Sequence, residues 1–224
     1  MFSEDKLNSL VHMFSSLPAH LCPVLRHEEY ILRLAQQIMH FAQSGMDKRP
    51  PFYEEECTPT LHNIIKPFLQ AFDIWKTNTK NGKRDFYSLL EKTSIEKILL
   101  VMGQRQTSAS VSDVGGLPPL RDHLLASFGA YHKHSLSVGA RAWCKHANRS
   151  EDNFWGKVKG NDDYKNRMAE LILQKLLTQY TWWNVFKHYK HGVVYEVRVP
   201  SGHGARWSTN GTIFIGFLEP FIET

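Results

Sequence analysis

Residues 192–220 constrain the fold of this chain more than any other stretch. Val193 and Tyr195 alternate with Glu196 and Arg198, and the same period of two continues beyond them. Such alternation places β-branched and aromatic side chains on one face of a strand and charged side chains on the other. The pattern predicts a β-strand with one buried face and one polar face.

Turn residues divide the rest of this stretch. Pro200 cannot donate a ladder hydrogen bond, so the first strand should end there, and Gly202 permits a tight reversal. The pair Asn210-Gly211 is typical of a two-residue type I′ hairpin. The final strand, 212–218, is apolar on both faces, which favours burial on both sides. We therefore predict a three-stranded antiparallel β-meander.

The remainder of the chain has helical periodicity. Apolar residues recur every three or four positions through most of 1–102, with a polar turn at 78–83. A helical pattern over 120–146 contains Gly129 and Gly139. Either the helix breaks at one of these glycines, or a neighbour packs closely against it. The fold class is α+β, with a helical N-terminal half and C-terminal helices packed on the small sheet.

Polar loop-forming residues are concentrated at 103–119, which we interpret as a flexible loop or linker. This interpretation divides the chain into a helical region, 1–102, and a basic α+β region, 120–224. The length of 224 residues suits one large domain or two small ones.

Positive charge is concentrated in the second half of the chain. Residues 121–210 contain 14 Lys and Arg against 7 Asp and Glu, while the whole chain carries a net charge of +5. The same segment holds 7 of the 12 His and 5 of the 6 Trp. A basic and aromatic segment is typical of proteins that bind nucleic acid or phosphate. A basic surface that is merely solvated is the open alternative.

Several classes of protein are disfavoured by absent sequence features. No apolar run approaches the ~20 residues that span a bilayer, so we expect no membrane association. Nucleotide-binding and metalloprotease motifs are also absent. Cys22, Cys57 and Cys144 are odd in number and widely spaced, which favours a reducing compartment, the cytoplasm, the nucleus or both.

Cations and tryptophans suggest a surface for an anionic ligand. The tract 141–149 contains no acid to neutralise its charges. Arginine binds phosphate through two hydrogen bonds, and tryptophan offers a face on which a base can stack. The candidate ligand-binding residues are Arg141, Trp143, Lys145, Arg149, Arg198 and Trp207.

Histidine and arginine together can transfer protons and stabilise a phosphorane charge. The candidate catalytic residues are His203, His146 and Arg206, with Glu196 or Glu219 as an accompanying carboxylate base. Zinc binding by His132, His134, Cys144 and His146 is the weaker interpretation, because residues two apart on a helix face different ways. We expect neither a metal nor another cofactor.

The hypothesis that follows is binding of RNA or another phosphate-bearing ligand through a basic, aromatic face. Metal-independent phosphodiester cleavage is its enzymatic form. The alternative is a non-catalytic interaction module, in which the N-terminal helices bind a protein partner and the basic segment serves only for solubility.

Overall fold

The computed structural model describes residues 3–45, 49–131, 135–150 and 153–221. Within these ranges eight helices and a four-stranded antiparallel sheet confirm the predicted α+β class. The helices are α1 (Glu4–Ser15), α2 (Glu28–Ser44), α3 (His62–Thr77), α4 (Thr79–Lys92), α5 (Ile95–Val101), α6 (Arg121–Gly129), α7 (Val138–Ala147) and α8 (Asp162–Gln179). The strands are β1 (Trp182–His188), β2 (Gly192–Arg198), β3 (Gly204–Ser208) and β4 (Phe214–Leu218). None of the described helices is both long and apolar enough to cross a membrane.

The chain forms two compact units that alternate along the sequence. The first comprises Met1–Lys48, Thr58–Gln104 and Ser112–Val114, and the second comprises Arg49–Cys57, Arg105–Val111 and Gly115–Thr224. Residues 103–119 thus contribute to both units. The domain division drawn at that stretch stays a prediction.

Helices α1 to α5 build the first unit around an aromatic core, in which Phe14 and Phe86 meet edge to face at 4.9 Å. The turn predicted at 78–83 was wrong, because Asn78 caps α4 and the helix runs through Gly82. A Cβ on Gly82 would lie 2.3 Å from the Trp75 Cα. This glycine therefore allows close helix packing and does not form a turn.

The sheet has one strand more than the sequence predicted. Its order is β1-β2-β3-β4, and β1 pairs with β2 from Trp182↔Arg198 to His188↔Gly192. The buried Asn184 and the polar end of β1 obscured the apolar alternation of this strand. Asn184 is fully buried, and its amide group is satisfied by Ser110. The Asn184 amide nitrogen donates to the Ser110 hydroxyl at 2.8 Å, and the hydroxyl lies 3.1 Å from the Asn184 amide oxygen.

Helices cover one face of the sheet. Tyr195 pairs with Trp207 and Trp207 with Phe214, and the Phe128 ring of α6 meets the Phe214 ring at 4.9 Å. The opposite face carries Glu196 and its cross-strand neighbours. This face is polar, as the sequence predicted, but Glu196 is buried there and only 1% exposed.

The β3–β4 connection and β4 also differ from expectation. A type I′ turn needs positive φ at both central residues, yet among the described residues only glycines have positive φ, so Asn210 does not. The Asn210 side chain instead accepts a hydrogen bond from the Thr212 amide at 3.2 Å. Burial on both faces of 212–218 was likewise wrong, because Ile213 is 63% exposed and within β4 only Phe214 and Phe217 are buried.

Residues 105–111 lie along the outer edge of β1. The Val111 amide donates to the Val185 carbonyl at 2.8 Å, and the Lys187 amide donates to the Ala109 carbonyl at 2.9 Å. These bonds satisfy backbone groups that an open strand edge would leave to solvent. Residues 105–111 therefore protect β1.

Both alternatives for the 120–146 region are realised at different glycines. Helix α6 ends at Gly129, and α7 begins at Val138. A Cβ on Gly139 would lie 2.2 Å from the Phe128 ring, so the absence of a side chain lets α7 approach α6. This approach sets the position of α7, whose C-terminal end carries His146.

Candidate active site

Three residues from distant parts of the second unit converge on one carboxylate. His146 lies near the end of α7, His203 lies between β2 and β3, and Glu219 follows β4. His146 Nε2 is 2.8 Å from Glu219 Oε1, and His203 Nε2 is 3.4 Å from Glu219 Oε2. We call these residues the His–Glu–His cluster. It unites the two histidines that the sequence singled out.

The β2–β3 turn holds His203 in place. Gly202 adopts φ +88°, and a Cβ there would lie 2.9 Å from the Pro220 ring, so only glycine fits without strain. The Val199 amide donates to the His203 carbonyl at 2.9 Å, and the Ser201 hydroxyl lies 2.9 Å from His203 Nδ1. These contacts direct Nε2 of His203 towards the carboxylate.

Two aromatic residues enclose the cluster. Trp155 donates its indole N–H to Glu219 Oε1 at 3.1 Å, and its ring meets His146 edge to face at 4.8 Å. Phe154 stacks on His203 with ring centroids 3.8 Å apart. Trp155 is itself fixed, because its carbonyl accepts the Trp143 indole N–H at 2.8 Å. The imidazole rings therefore have defined orientations.

The members of the cluster differ in their access to solvent. The His203 side chain is 5% exposed, whereas those of His146 and Glu219 are 24% and 41% exposed. A ligand can therefore reach His146 and Glu219 from outside. His203 contacts the buried side of the same carboxylate.

Burial lowers the pKa of His146 below the ordinary histidine value. Glu219 opposes this shift, and His203 and Arg149 reinforce it. The distance to Glu219 suits a charge-assisted hydrogen bond, although the Nε2–H direction is not aligned with the oxygen. The tautomer with its proton on Nε2, which faces the carboxylate, would leave the lone pair on Nδ1. His146 is thus equipped to accept a proton at neutral pH.

The cationic tract around α7 is partly assembled at this site. Lys145 and Arg149 are exposed, and Arg149 acts electrostatically on His146. Arg141 is half-buried. Trp143 is 1% exposed and supports Trp155, so it presents no face on which a base could stack.

The remaining candidates lie on the sheet, where Arg198 donates to the Glu219 carbonyl at 2.8 Å. Arg206 Nη2 is 2.6 Å from Glu196, and Arg198 Nε is 2.5 Å from the same carboxylate. Both guanidinium groups therefore have a buried acid as partner. Trp207 is fully buried in the helix-covered core and offers no stacking surface. Arg206 contacts Glu196, His188 and the Phe186 ring, and none of these residues belongs to the cluster.

No grouping of three or more His, Cys, Asp or Glu suited to a metal ion occurs among the residues that the structure describes. The alternative zinc interpretation also involved His132 and His134, which lie outside the described residues.

Sequence reasoning missed the residues that orient the histidines. Trp155, Phe154 and Ser201 were not proposed, and Glu219 was considered only as one of two carboxylates. Adjacent aromatic residues within a loop indicate that the loop packs against other residues, because such large apolar rings are stabilised by burial. The partners of those rings depend on tertiary contacts.

One family model matches part of the chain. Residues 127–219, about two-fifths of the chain, match the CdiA C-terminal tRNase toxin domain. The matched stretch contains His146, His203 and Glu219. No curated protein matches the chain, and no solved structure does. The C-terminal region is therefore similar to a tRNase toxin domain.

Proposed function

We propose that the second compact unit cleaves RNA by proton transfer at the His–Glu–His cluster. The observation that carries this proposal is the convergence of His146 and His203 on Glu219, with His146 and Glu219 accessible to a ligand. The similarity of 127–219 to a tRNase toxin domain supports RNA binding and cleavage, and tRNA is the first substrate to test. The local excess of positive charge suits a polyanion.

His146 acts as the general base in this proposal. Its Nδ1 removes the proton from a ribose 2′-hydroxyl, and the 2′-oxygen forms a bond to the adjacent phosphorus. The bond from phosphorus to the 5′-oxygen breaks, and that oxygen takes a proton from water. The products are a 2′,3′-cyclic phosphate and a 5′-hydroxyl end.

Glu219 stabilises the imidazolium that forms on His146. A carboxylate 2.8 Å from Nε2 favours the charged ring and holds its orientation. His203 positions Glu219 from the buried side, and the Ser201 hydroxyl lies at the other ring nitrogen of His203. His203 is thus a positioning residue, while His146 contacts the substrate.

Lys145 and Arg149 supply positive charge beside the base. Both are exposed at the end of α7 and can neutralise phosphates on either side of the scissile bond. Because such contacts release counterions, RNA binding should weaken linearly on a double-logarithmic plot against salt concentration.

The chemistry is tested by incubating the full chain with tRNA in the presence of EDTA. We expect cleavage that persists in the chelator and produces 2′,3′-cyclic phosphate ends, detected by end-group analysis. An RNA oligonucleotide with a single 2′-O-methyl group at the mapped cleavage position should resist cleavage there. Cleavage at the methylated position, or complete loss of activity with EDTA, would contradict the proposal.

The activity should depend on pH in a direction set by His146. Its neutral form is the active base, so kcat/KM should fall as pH decreases through a pKa below the ordinary histidine value of about 6.5. Above that value the proton-accepting form dominates and the rate should level off. A pH–rate profile from pH 4.5 to 8.5 tests this. A rate that increases on acidification would show that the base assignment is wrong.

A further inference from the structure

A groove crosses the face of the sheet that the helices leave uncovered. Its volume is about 480 Å³, within the range of ligand sites. It lies within the second unit, between β1, β2 and residues that precede the sheet in sequence. The side chains that line it include Tyr53, Phe186, His188, Tyr189, Arg206 and Phe221.

Arginine and aromatic groups line the groove. Glu196 offsets one of the charges of Arg198 and Arg206, and the Arg206 side chain remains 16% exposed. Together with Glu55 and Lys187, the charged residues that line the groove sum to +1. Arg206 Nη1 also lies 2.9 Å from His188 Nε2, which fixes the guanidinium plane. The groove therefore offers a positioned positive group.

Aromatic planes form one end of the groove. The Tyr53 and Phe221 rings stack with centroids 3.9 Å apart, and the Arg198 guanidinium lies 3.9 Å from the Phe221 ring centre. Phe186 adds a further apolar ring to the lining. Planar bases stack on aromatic side chains, so Phe186 and the face of Tyr53 that Phe221 does not cover can receive a base.

The β1–β2 hairpin extends this surface into solvent. Residues 189–191 form a three-residue loop closed by Gly192 at φ +71°, and we call them the hairpin tip. Tyr189 is 96% exposed, and Lys187, Lys190 and His191 are exposed around it. No Asp or Glu occurs between residues 171 and 195. An exposed ring among unopposed local cations suits single-stranded nucleic acid.

The groove connects the hairpin tip to the segment that carries Glu219. The six residue steps of β2 from Gly192 to Arg198 span about 20 Å at about 3.3 Å per step. At the far end, Arg198 Nη1 donates to the Glu219 carbonyl at 2.8 Å. This length corresponds to several nucleotides of an extended single strand.

We propose that the hairpin tip and the groove bind an unpaired nucleotide of the RNA several positions from the scissile phosphate. Tyr189 and the groove aromatics stack on the base, while Lys187, Lys190 and Arg206 contact phosphates. This inference rests on the proposed cleavage activity and adds a recognition site to it. It requires a substrate long enough to reach from the cluster to the tip.

The test compares a long and a short substrate. The variants are Tyr189→Ala and the double variant Lys187→Ala/Lys190→Ala, each assayed on a 20-nucleotide RNA and on a dinucleotide. We expect KM for the 20-mer to rise about tenfold with unchanged kcat, and cleavage of the dinucleotide to match the unchanged protein. The double lysine variant should also reduce the slope of log binding constant against log salt concentration by about 1.4, because each of the two lost phosphate contacts contributes about 0.7.

Matched controls separate this site from general effects of charge and exposure. Tyr131 is 63% exposed, and Lys80 and Lys97 are exposed on helices of the first unit. Tyr131→Ala and Lys80→Ala/Lys97→Ala should leave both substrates unaffected, and Tyr189→Phe should retain binding because it keeps the ring.

Three negative results are informative. Wild-type protein that cleaves neither substrate would overturn the proposed function itself. Normal KM for the 20-mer in both hairpin variants, with wild-type cleavage intact, would overturn only the recognition site. Equal loss on the 20-mer and the dinucleotide would also overturn it, because a dinucleotide cannot reach the tip.

Discussion

Replacing His146 with alanine is expected to lower kcat for RNA cleavage by about 10²- to 10⁴-fold, the usual contribution of a general base. The change removes Nδ1, while the contacts of Glu219 with Trp155 and His203 remain available. Single-turnover cleavage of tRNA at saturating protein measures the effect without a contribution from substrate binding. RNA affinity should change far less than the rate.

The control for this prediction is another exposed histidine of the same unit. His123 lies on α6, and His123→Ala should retain the full cleavage rate. His203→Ala should slow cleavage and also change the pH profile, because it disturbs the carboxylate that faces His146. Cleavage that persists undiminished in His146→Ala would refute the assignment of the base.

Replacing Glu196 with alanine is expected to destabilise the second unit by about 3–5 kcal/mol, the usual cost of breaking a buried ion pair by removing one partner. The change leaves Arg198 and Arg206 without their shared carboxylate, and the Arg198 and Glu196 side chains are 5% and 2% exposed. Denaturant unfolding followed by tryptophan fluorescence is a suitable measurement. Five of the six tryptophans belong to the second unit.

An exposed glutamate provides the comparison. Glu170 on α8 is exposed, so Glu170→Ala should change the free energy of unfolding by no more than about 0.5 kcal/mol. Glu196→Gln should lie between the two, since it keeps hydrogen-bond acceptance but removes the charge. If Glu196→Ala were as stable as Glu170→Ala, the pairing with two arginines would not support the sheet.

Alternation of apolar and polar residues predicted β2, whereas β1, in which the alternation is interrupted, was missed. The alternation around Tyr195 predicted β2 correctly, because one face of this strand packs against apolar residues. In β1 the buried Asn184 interrupts the apolar alternation, and its partner Ser110 lies 74 residues earlier in the chain. Such a satisfied buried amide cannot be distinguished from a loop residue by periodicity.

The candidate site was predictable to the extent that residue chemistry decides it. His146 and His203 were predicted as candidate proton-transfer groups, and the structure places both beside Glu219. The pairing of Arg206 with Glu196 depends on the register of β2 against β3, which the residue types alone did not supply. Burial of Trp207 likewise depends on which face the helices cover. Charge and aromatic content therefore overestimated the number of residues available to one ligand.

The second unit cannot be obtained by cutting the chain at residue 120, because it also contains residues from earlier in the sequence. Arg49–Cys57 and Arg105–Val111 belong to it, the former containing Tyr53 and the latter bonding the outer edge of β1. A fragment limited to residues 127–219 would lack Tyr53, an aromatic residue that lines the groove. It would also leave backbone groups at the outer edge of β1 without their hydrogen-bond partners. A test of the chemistry therefore needs a protein that contains both of these segments together with the sheet.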